Sequence, residues 1–363
     1  MTKIAILTNA RAADQRSMIG YGSLLIDTAR NSGFEVVEWR GASLFSLLPL
    51  KGRLLKLALN LDRFIVTPLK LLGRKADLVH VVDPGNCVYL PLTRHRQSVV
   101  TVHDMIPWLA RDSRLVGFVP TRTGKWLMDL IVARLAKVNQ LICVSESTRT
   151  DVLNFVDVSS ENVKVIYIAV FQQIEPSSRE ACYQLRTKFN LPLHKSLVFH
   201  VGRNFYKNRE TILKVASRVR ATLPETHLVF VGEPSSNERA LADQLQLCPH
   251  LHVLPQVSAE DMATLYSTAA VLLFPSLYEG FGLPVVEARM CGTPVVCSDA
   301  GSLPEVAGPE TVMASPNAIE ELASACIALI QSGKRPAPER PSKFDPLTWA
   351  KAHHEIYNKL LAK

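Results

Sequence analysis

The chain has 363 residues, 47% of them hydrophobic and 20% charged, and a formal charge of +8. That length suits two domains of ordinary size, and the absence of low-complexity tracts argues against a fibrous or disordered protein. No apolar run reaches the ~18 residues of a spanning helix, and the start MTKIAILTNARAADQR has only a four-residue apolar stretch, so no secretory signal is expected.

In chain order, a short apolar strand (4–7) comes first, then a polar loop containing Gly20-Tyr21-Gly22 and an amphipathic helix from Ser23 to Asn31. Gly33 is placed to stop that helix, and a strand resumes at 34–37, a β-α-β unit that implies a parallel sheet. Residues 44–75 are leucine-rich and carry seven Lys/Arg against one acid, Asp62. They read as a basic amphipathic helix, suited either to a bilayer surface or to packing its apolar face on the domain's own sheet. Buried strands follow at 78–82, 98–102 and 141–144, and Ser145 caps a helix running to about Asn154. A strand at 163–166 closes this half, and polar, irregular sequence places the domain junction near 172–178. The second half repeats the pattern, with strands at 197–201, 227–231, 252–254, 271–274 and 294–297 and helices at 210–222 and 236–245. A Pro-rich connector (334–341) leads to a last helix, 347–361.

Charge and cysteine usage add to this outline. Residues 1–170 hold 22 Lys/Arg and 14 Asp/Glu, whereas residues 171–363 hold 19 of each. An anionic partner for the first half, or simply a solvated basic surface, accounts for the excess. Nucleic acid is the least favoured partner, because no nucleic-acid module or aromatic–basic alternation occurs. The seven cysteines (87, 143, 182, 248, 291, 297, 326) form no C-x-x-C pair and read as buried thiols of a reducing compartment, the cytoplasm.

Three segments carry chemistry. Within PSLYEGFGLPVVEARMCGTPVVCSDAGSLPEVAG (275–308), Glu279 and Glu287 are separated by seven residues. Gly280, Phe281 and Gly282 join a strand to a helix opened by Pro284, so the amides near Gly282 and Leu283 suit a phosphate. Glu287, placed in the first turn, would repel a bare phosphate but can accept from the hydroxyls of an attached sugar. In Val201-Gly202-Arg203-Asn204-Phe205-Tyr206-Lys207-Asn208, Arg203 and Lys207 follow a strand and are suited to a diphosphate leaving group. His103, in Val102-His103-Asp104-Met105-Ile106-Pro107, ends a strand where it can donate to a sugar hydroxyl or stabilise developing positive charge through its carbonyl.

The 265–308 stretch resembles the Glu-x7-Glu signature of the retaining glycosyltransferases of family 4. The resemblance is tight over 197–308 and loose before 95. It implies an α/β protein of the GT-B fold: two doubly wound Rossmann-like domains facing an interdomain cleft, with the C-terminal helix crossing back. Residues 1–172 would bind the acceptor and 173–346 the nucleotide-sugar, with helix 347–361 on the first domain. By the same resemblance, His103 would face the donor hexose, Glu279 its hydroxyls, Arg203 and Lys207 the diphosphate, and Glu287 the ribose. Gly20 and Gly22 would form a glycine-rich loop near the donor phosphates. The HDxxP form tilts the donor toward GDP-mannose over a UDP-sugar. The expected acceptor is a glycan or lipid-linked glycan, with no metal or other cofactor, since no D-x-D motif is present. Where many members continue with a Pro-Asn-Gly turn that helps set the interdomain hinge after Val165-Ile166, this chain departs from the pattern and reads Tyr167-Ile168-Ala169-Val170. A nucleotide-sugar epimerase of the same fold, or a non-catalytic sugar-nucleotide-binding subunit, are the alternatives.

Overall fold

The computed structural model describes residues 2–10, 16–115, 117, 119–171 and 174–362, and the chain divides into two compact units. Unit 1 comprises Met1–Trp108, Pro120–Tyr167 and Leu347–Lys363, and unit 2 comprises Leu109–Val119 and Ile168–Pro346. The chain thus changes units after Tyr167, ahead of the junction read from the sequence, and residues 172 and 173 of that junction lie outside the described residues.

Unit 1 is built on six parallel strands: β1 (Lys3–Thr8), β2 (Glu35–Arg40), β3 (Lys75–Val81), β4 (Arg94–Val102), β5 (Gln140–Cys143) and β6 (Val163–Val165). Their order is β2-β1-β3-β4-β5-β6. The central strands are buried toward their carboxyl ends because helices cover both faces of such a sheet, and Ile4, Val79, Val100 and Leu141 are completely buried. The helix joining β1 to β2 spans Arg16–Asn31, so Gly20, Tyr21 and Gly22 lie inside it and not in a loop, which corrects the glycine-rich-loop expectation. The cause is close packing: a Cβ on Gly22 would sit 2.8 Å from Thr8 Cγ2, so glycine brings the helix down onto β1. Ser145 caps the helix Glu146–Phe155 by accepting from the Thr148 amide.

The last helix, Pro346–Leu361, belongs to unit 1 and is keyed into it by a buried polar chain. His353 Nδ1 donates to the Trp349 carbonyl (2.9 Å), so the neutral ring accepts at Nε2 from Tyr21 Oη (3.1 Å). Tyr21 oxygen then accepts from Thr101 Oγ1 (3.3 Å), Thr101 accepts from His80 Nε2 (2.8 Å), and His80 Nδ1 accepts from Tyr357 Oη (2.5 Å). Each donor meets one acceptor, which is how polar groups are tolerated in such a core. Burial holds both imidazoles neutral: His353 is pushed down to about 4, and His80 falls well below the ordinary value.

Residues 44–75 are not one helix. They form a connecting stretch, a helix Gly52–Leu61, a π-turn Asp62–Val66 and a helix Thr67–Leu71. The buried positions are Ala58, Asp62, Thr67 and Leu71, so the leucine-rich side is not the side packed on the sheet. The π-turn inserts the extra residue that keeps these four facing inward.

Unit 2 has a second parallel sheet, β7 (Ser196–Val201), β8 (Thr226–Val231), β9 (Leu251–Leu254), β10 (Val271–Phe274), β11 (Val295–Ser298) and β12 (Val312–Ala314), ordered β12-β11-β10-β7-β8-β9. β12 is a short edge strand with two exposed residues, and its pattern is too brief to show in the sequence. The order reverses at β7, between β10 and β8, so the carboxyl ends of β7 and β10 border the position where doubly wound sheets bind ligands. All seven cysteines are free thiols; five are buried, Cys182 is half-buried, and Cys248 is exposed, contrary to the uniformly buried set expected.

Candidate active site

In unit 2, β7 ends at Val201 and runs through Gly202 and Arg203 to the 3-10 turn Phe205–Lys207. Gly202 has φ +108°, and a Cβ there would lie 2.8 Å from Lys207 Cε; glycine therefore lets the lysine stem fold across the strand end. Lys207 is buried, with its ammonium 4.6 Å from the centre of the Phe274 ring and 5.3 Å from that of Tyr206. Its Nζ donates to Glu279 Oε1 at 2.7 Å. Glu279 is also buried, so two charges taken out of water meet directly at the carboxyl ends of β7 and β10. The Glu279 backbone is fixed as well, its carbonyl accepting from the Ser302 amide and hydroxyl, each at 3.1 Å. Arg203 is exposed, and its charge bears on the buried Arg209 guanidinium beside it.

Gly282 (φ +99°) caps the helix Leu283–Met290. Pro284 is thus its second residue and Glu287 its fifth, one residue deeper than the first-turn placement expected, at the start of the second turn. The Glu287 carboxylate accepts from Tyr266 Oη at 2.8 Å. Burial raises its pKa to about 7, with the Tyr266 bond pulling the other way. Phe281 is buried, its ring edge-on to Phe344 at 5.5 Å.

Sequence reasoning missed three supporting residues of unit 2. Arg209 is buried and donates to the Val231, Gly232 and Glu233 carbonyls at the end of β8. Asn208, left-handed at φ +57°, ties the Pro275 carbonyl (3.0 Å) to the Pro316 carbonyl (2.9 Å). Tyr266 orients Glu287 and is held in turn by Thr293 Oγ1 on its carbonyl, 2.7 Å away.

In unit 1, His103 follows β4 directly and is buried. Its Nε2 donates to the Val82 carbonyl at 2.9 Å, and the edge of Tyr21 lies 4.9 Å away, centre to centre. Desolvation lowers its pKa, partly offset by Asp83, so the ring is neutral. With the Nε2 proton committed, Nδ1 is an acceptor; the expectation that the ring donates to a sugar hydroxyl is corrected on this point. Gly20 and Gly22 lie on the helix described above and form no phosphate loop.

Two family models match the chain, one in each half: "Glycosyltransferase Family 4" over residues 24–170 and "Glycosyl transferases group 1" over 184–344. A similar protein is the MMP alpha-(1->4)-mannosyltransferase of Mycolicibacterium hassiacum, 31% identical over 255 residues, covering 68% of this chain and 56% of the relative. Another is the O-antigen chain mannosyltransferase B of Escherichia coli, 25% identical over 259 residues, covering 70% and 66%. The chain thus spans little more than half to two thirds of these relatives' lengths. Among solved structures, sucrose-phosphate synthase from Thermosynechococcus elongatus is similar in fold, with a TM-score of 0.72 at 19% identity and all of both chains covered. Anabaena HepE in complex with UDP and glucose gives 0.69 at 16% identity, covering 99% and 100%. With one model matched to each half and two six-stranded parallel sheets beneath them, the chain belongs to the family 4 glycosyltransferases and has the GT-B fold.

Proposed function

We propose that the protein transfers a hexose, with mannose favoured, from a nucleotide-sugar to a hydroxyl of a glycan or lipid-linked glycan, with retention of configuration and without a metal. It would act in the cytoplasm, with unit 1 working at a membrane surface. The observation that carries this reading is the buried Lys207–Glu279 pair at the carboxyl ends of β7 and β10. An ammonium has three donors and Glu279 takes one, which leaves protons for diphosphate oxygens. Glu279 keeps acceptor capacity for sugar hydroxyls, while Glu287, oriented by Tyr266, is suited to the ribose. In the transfer, the acceptor oxygen bonds to the anomeric carbon and the sugar–diphosphate C–O bond breaks. Its electron pair goes to the diphosphate, which also takes the acceptor's proton. Lys207, Arg203 and the amides at the start of Leu283–Met290 would stabilise that developing charge, supplying what a divalent cation would otherwise provide. The names of the relatives support mannose.

The test is thermal-shift screening against GDP-, UDP-, ADP- and dTDP-sugars, followed by transfer assays with the stabilising donor. A GDP-mannose shift and α-linked product from an α-linked donor are expected. Stabilisation by none of the four would refute the donor assignment, and isomerised nucleotide-sugar without an acceptor would identify an epimerase.

A further inference from the structure

Of the eighteen large apolar side chains exposed among the described residues, ten fall within residues 44–72 of unit 1. Leu47, Leu54, Leu57, Ile65, Leu69 and Leu72 each expose half or more of their surface. That clustering is unlike the scattered exposed leucine of an ordinary surface. All seven Lys/Arg between 44 and 75 are exposed around it, among them Lys51, Lys56, Arg63 and Lys70. The one acid of the segment, Asp62, is turned inward and does not dilute this charge. Its carboxylate accepts from the amides of Leu44 (3.0 Å), Phe45 (3.0 Å) and Ser46 (2.8 Å) and from Ser46 Oγ (2.6 Å). Asp62 therefore ties the 44–46 stretch to the π-turn, and Thr67 Oγ1 accepts from the Ala42 amide beside it at 2.9 Å. The apolar side chains are presented by a built surface, fixed from within by polar bonds.

We propose that this face docks on an anionic lipid bilayer, its leucines entering the headgroup boundary and its cations meeting lipid phosphates, with Asp62 as the internal clamp that shapes it. No helix of the described residues is long and apolar enough to cross a membrane, so the contact is interfacial. A second copy is the poorer occupant, because a two-fold contact would set seven cations against their own equivalents. A bilayer of anionic lipid satisfies both the apolar and the charged components. The inference rests on and deepens the membrane-surface part of the proposed function; loss of docking would remove that part and leave the sugar-transfer chemistry, tested separately by the nucleotide-sugar shift, intact.

The test is co-sedimentation of the full chain with phosphatidylcholine vesicles with or without about one third phosphatidylglycerol. Binding to the anionic vesicles is expected, at least about tenfold weaker on phosphatidylcholine alone and weakened similarly by molar salt. Leu57→Glu with Leu69→Glu, both exposed, should reduce partitioning about tenfold or more while the nucleotide-induced thermal shift is kept, which shows the fold intact. Asp62→Asn raises the net charge, so simple charge attraction predicts tighter binding, whereas loss of the clamp predicts weaker. Equal partitioning of the double variant, or indifference to lipid charge, overturns the proposal. A concentration-dependent dimer abolished by the same double variant assigns the face to a second copy instead. Tighter binding by Asp62→Asn removes the clamp role.

Discussion

Acid should loosen unit 1 through His353. The ring is neutral in the folded protein, with its pKa pushed down to about 4, and titrates near 6.5 once unfolded. Below pH 6.5 the unfolded chain binds the additional proton, so this residue's contribution is complete above 6.5 and is lost as the pH falls toward 4. Integrating between pH 7.5 and 5.5 gives about 1.3 kcal/mol from this residue alone. With a urea slope of about 2–3 kcal/mol/M, that moves the midpoint by about 0.5 M. His80 and His103, also lowered by burial, add in the same direction. The assay is convenient, because all four tryptophans (39, 108, 126 and 349) lie in unit 1, and their emission reports its unfolding. His353→Gln should be less stable at pH 7.5, having lost a network bond, yet its pH dependence should shrink by about 1.3 kcal/mol. An unchanged pH dependence in that variant would refute the buried neutral imidazole.

Three further outcomes are expected. Arg203→Ala should lower turnover by about 10²–10³ if its charge supports the leaving diphosphate, and steady-state kinetics with the stabilising donor will read it. Lys207→Met should cost about 3–5 kcal/mol by leaving Glu279 buried without its partner, whereas Lys207→Met with Glu279→Leu should recover part of that loss; additive effects in denaturant titrations would count against the coupling. Donor KM should rise as the pH falls through about 7, where Glu287 gains its proton. Tyr266→Phe should move that limb to higher pH, since the Tyr266 hydrogen bond favours the ionised form, and a pH–KM profile of both proteins checks it.

What was legible in the sequence was local. Lys207 and Glu279 each stand just past an apolar strand, so their placement at strand ends follows from pattern alone; their ion pair, 72 positions apart, does not. Tyr266 carries no signal, since an aromatic residue inside the helix Ala259–Thr268 looks like any core residue until Glu287 is found opposite its hydroxyl. The Gly20–Gly22 segment misled because glycine density reads as a turn when no neighbour is visible, and only the approach of Thr8 explains Gly22 within a helix. Residues 44–75 gave an amphipathic pattern, but neither the break of the helix at Asp62–Val66 nor the orientation. Periodicity marks two faces, and it took the inward hydrogen bonds of Asp62 and Thr67 to show which one the domain keeps.

The route of the chain through the two units sets an order for synthesis. The sheet of unit 1 is finished by Val165, yet Tyr21 and His80 meet His353 and Tyr357 only when Pro346–Leu361 has been made, some 180 residues later. At about 5–20 residues per second, the nascent first unit waits roughly 10–40 s with its polar core open to water. Unit 2, by contrast, can close on itself as it leaves the ribosome, so the later part of the chain is free to mature before the earlier one.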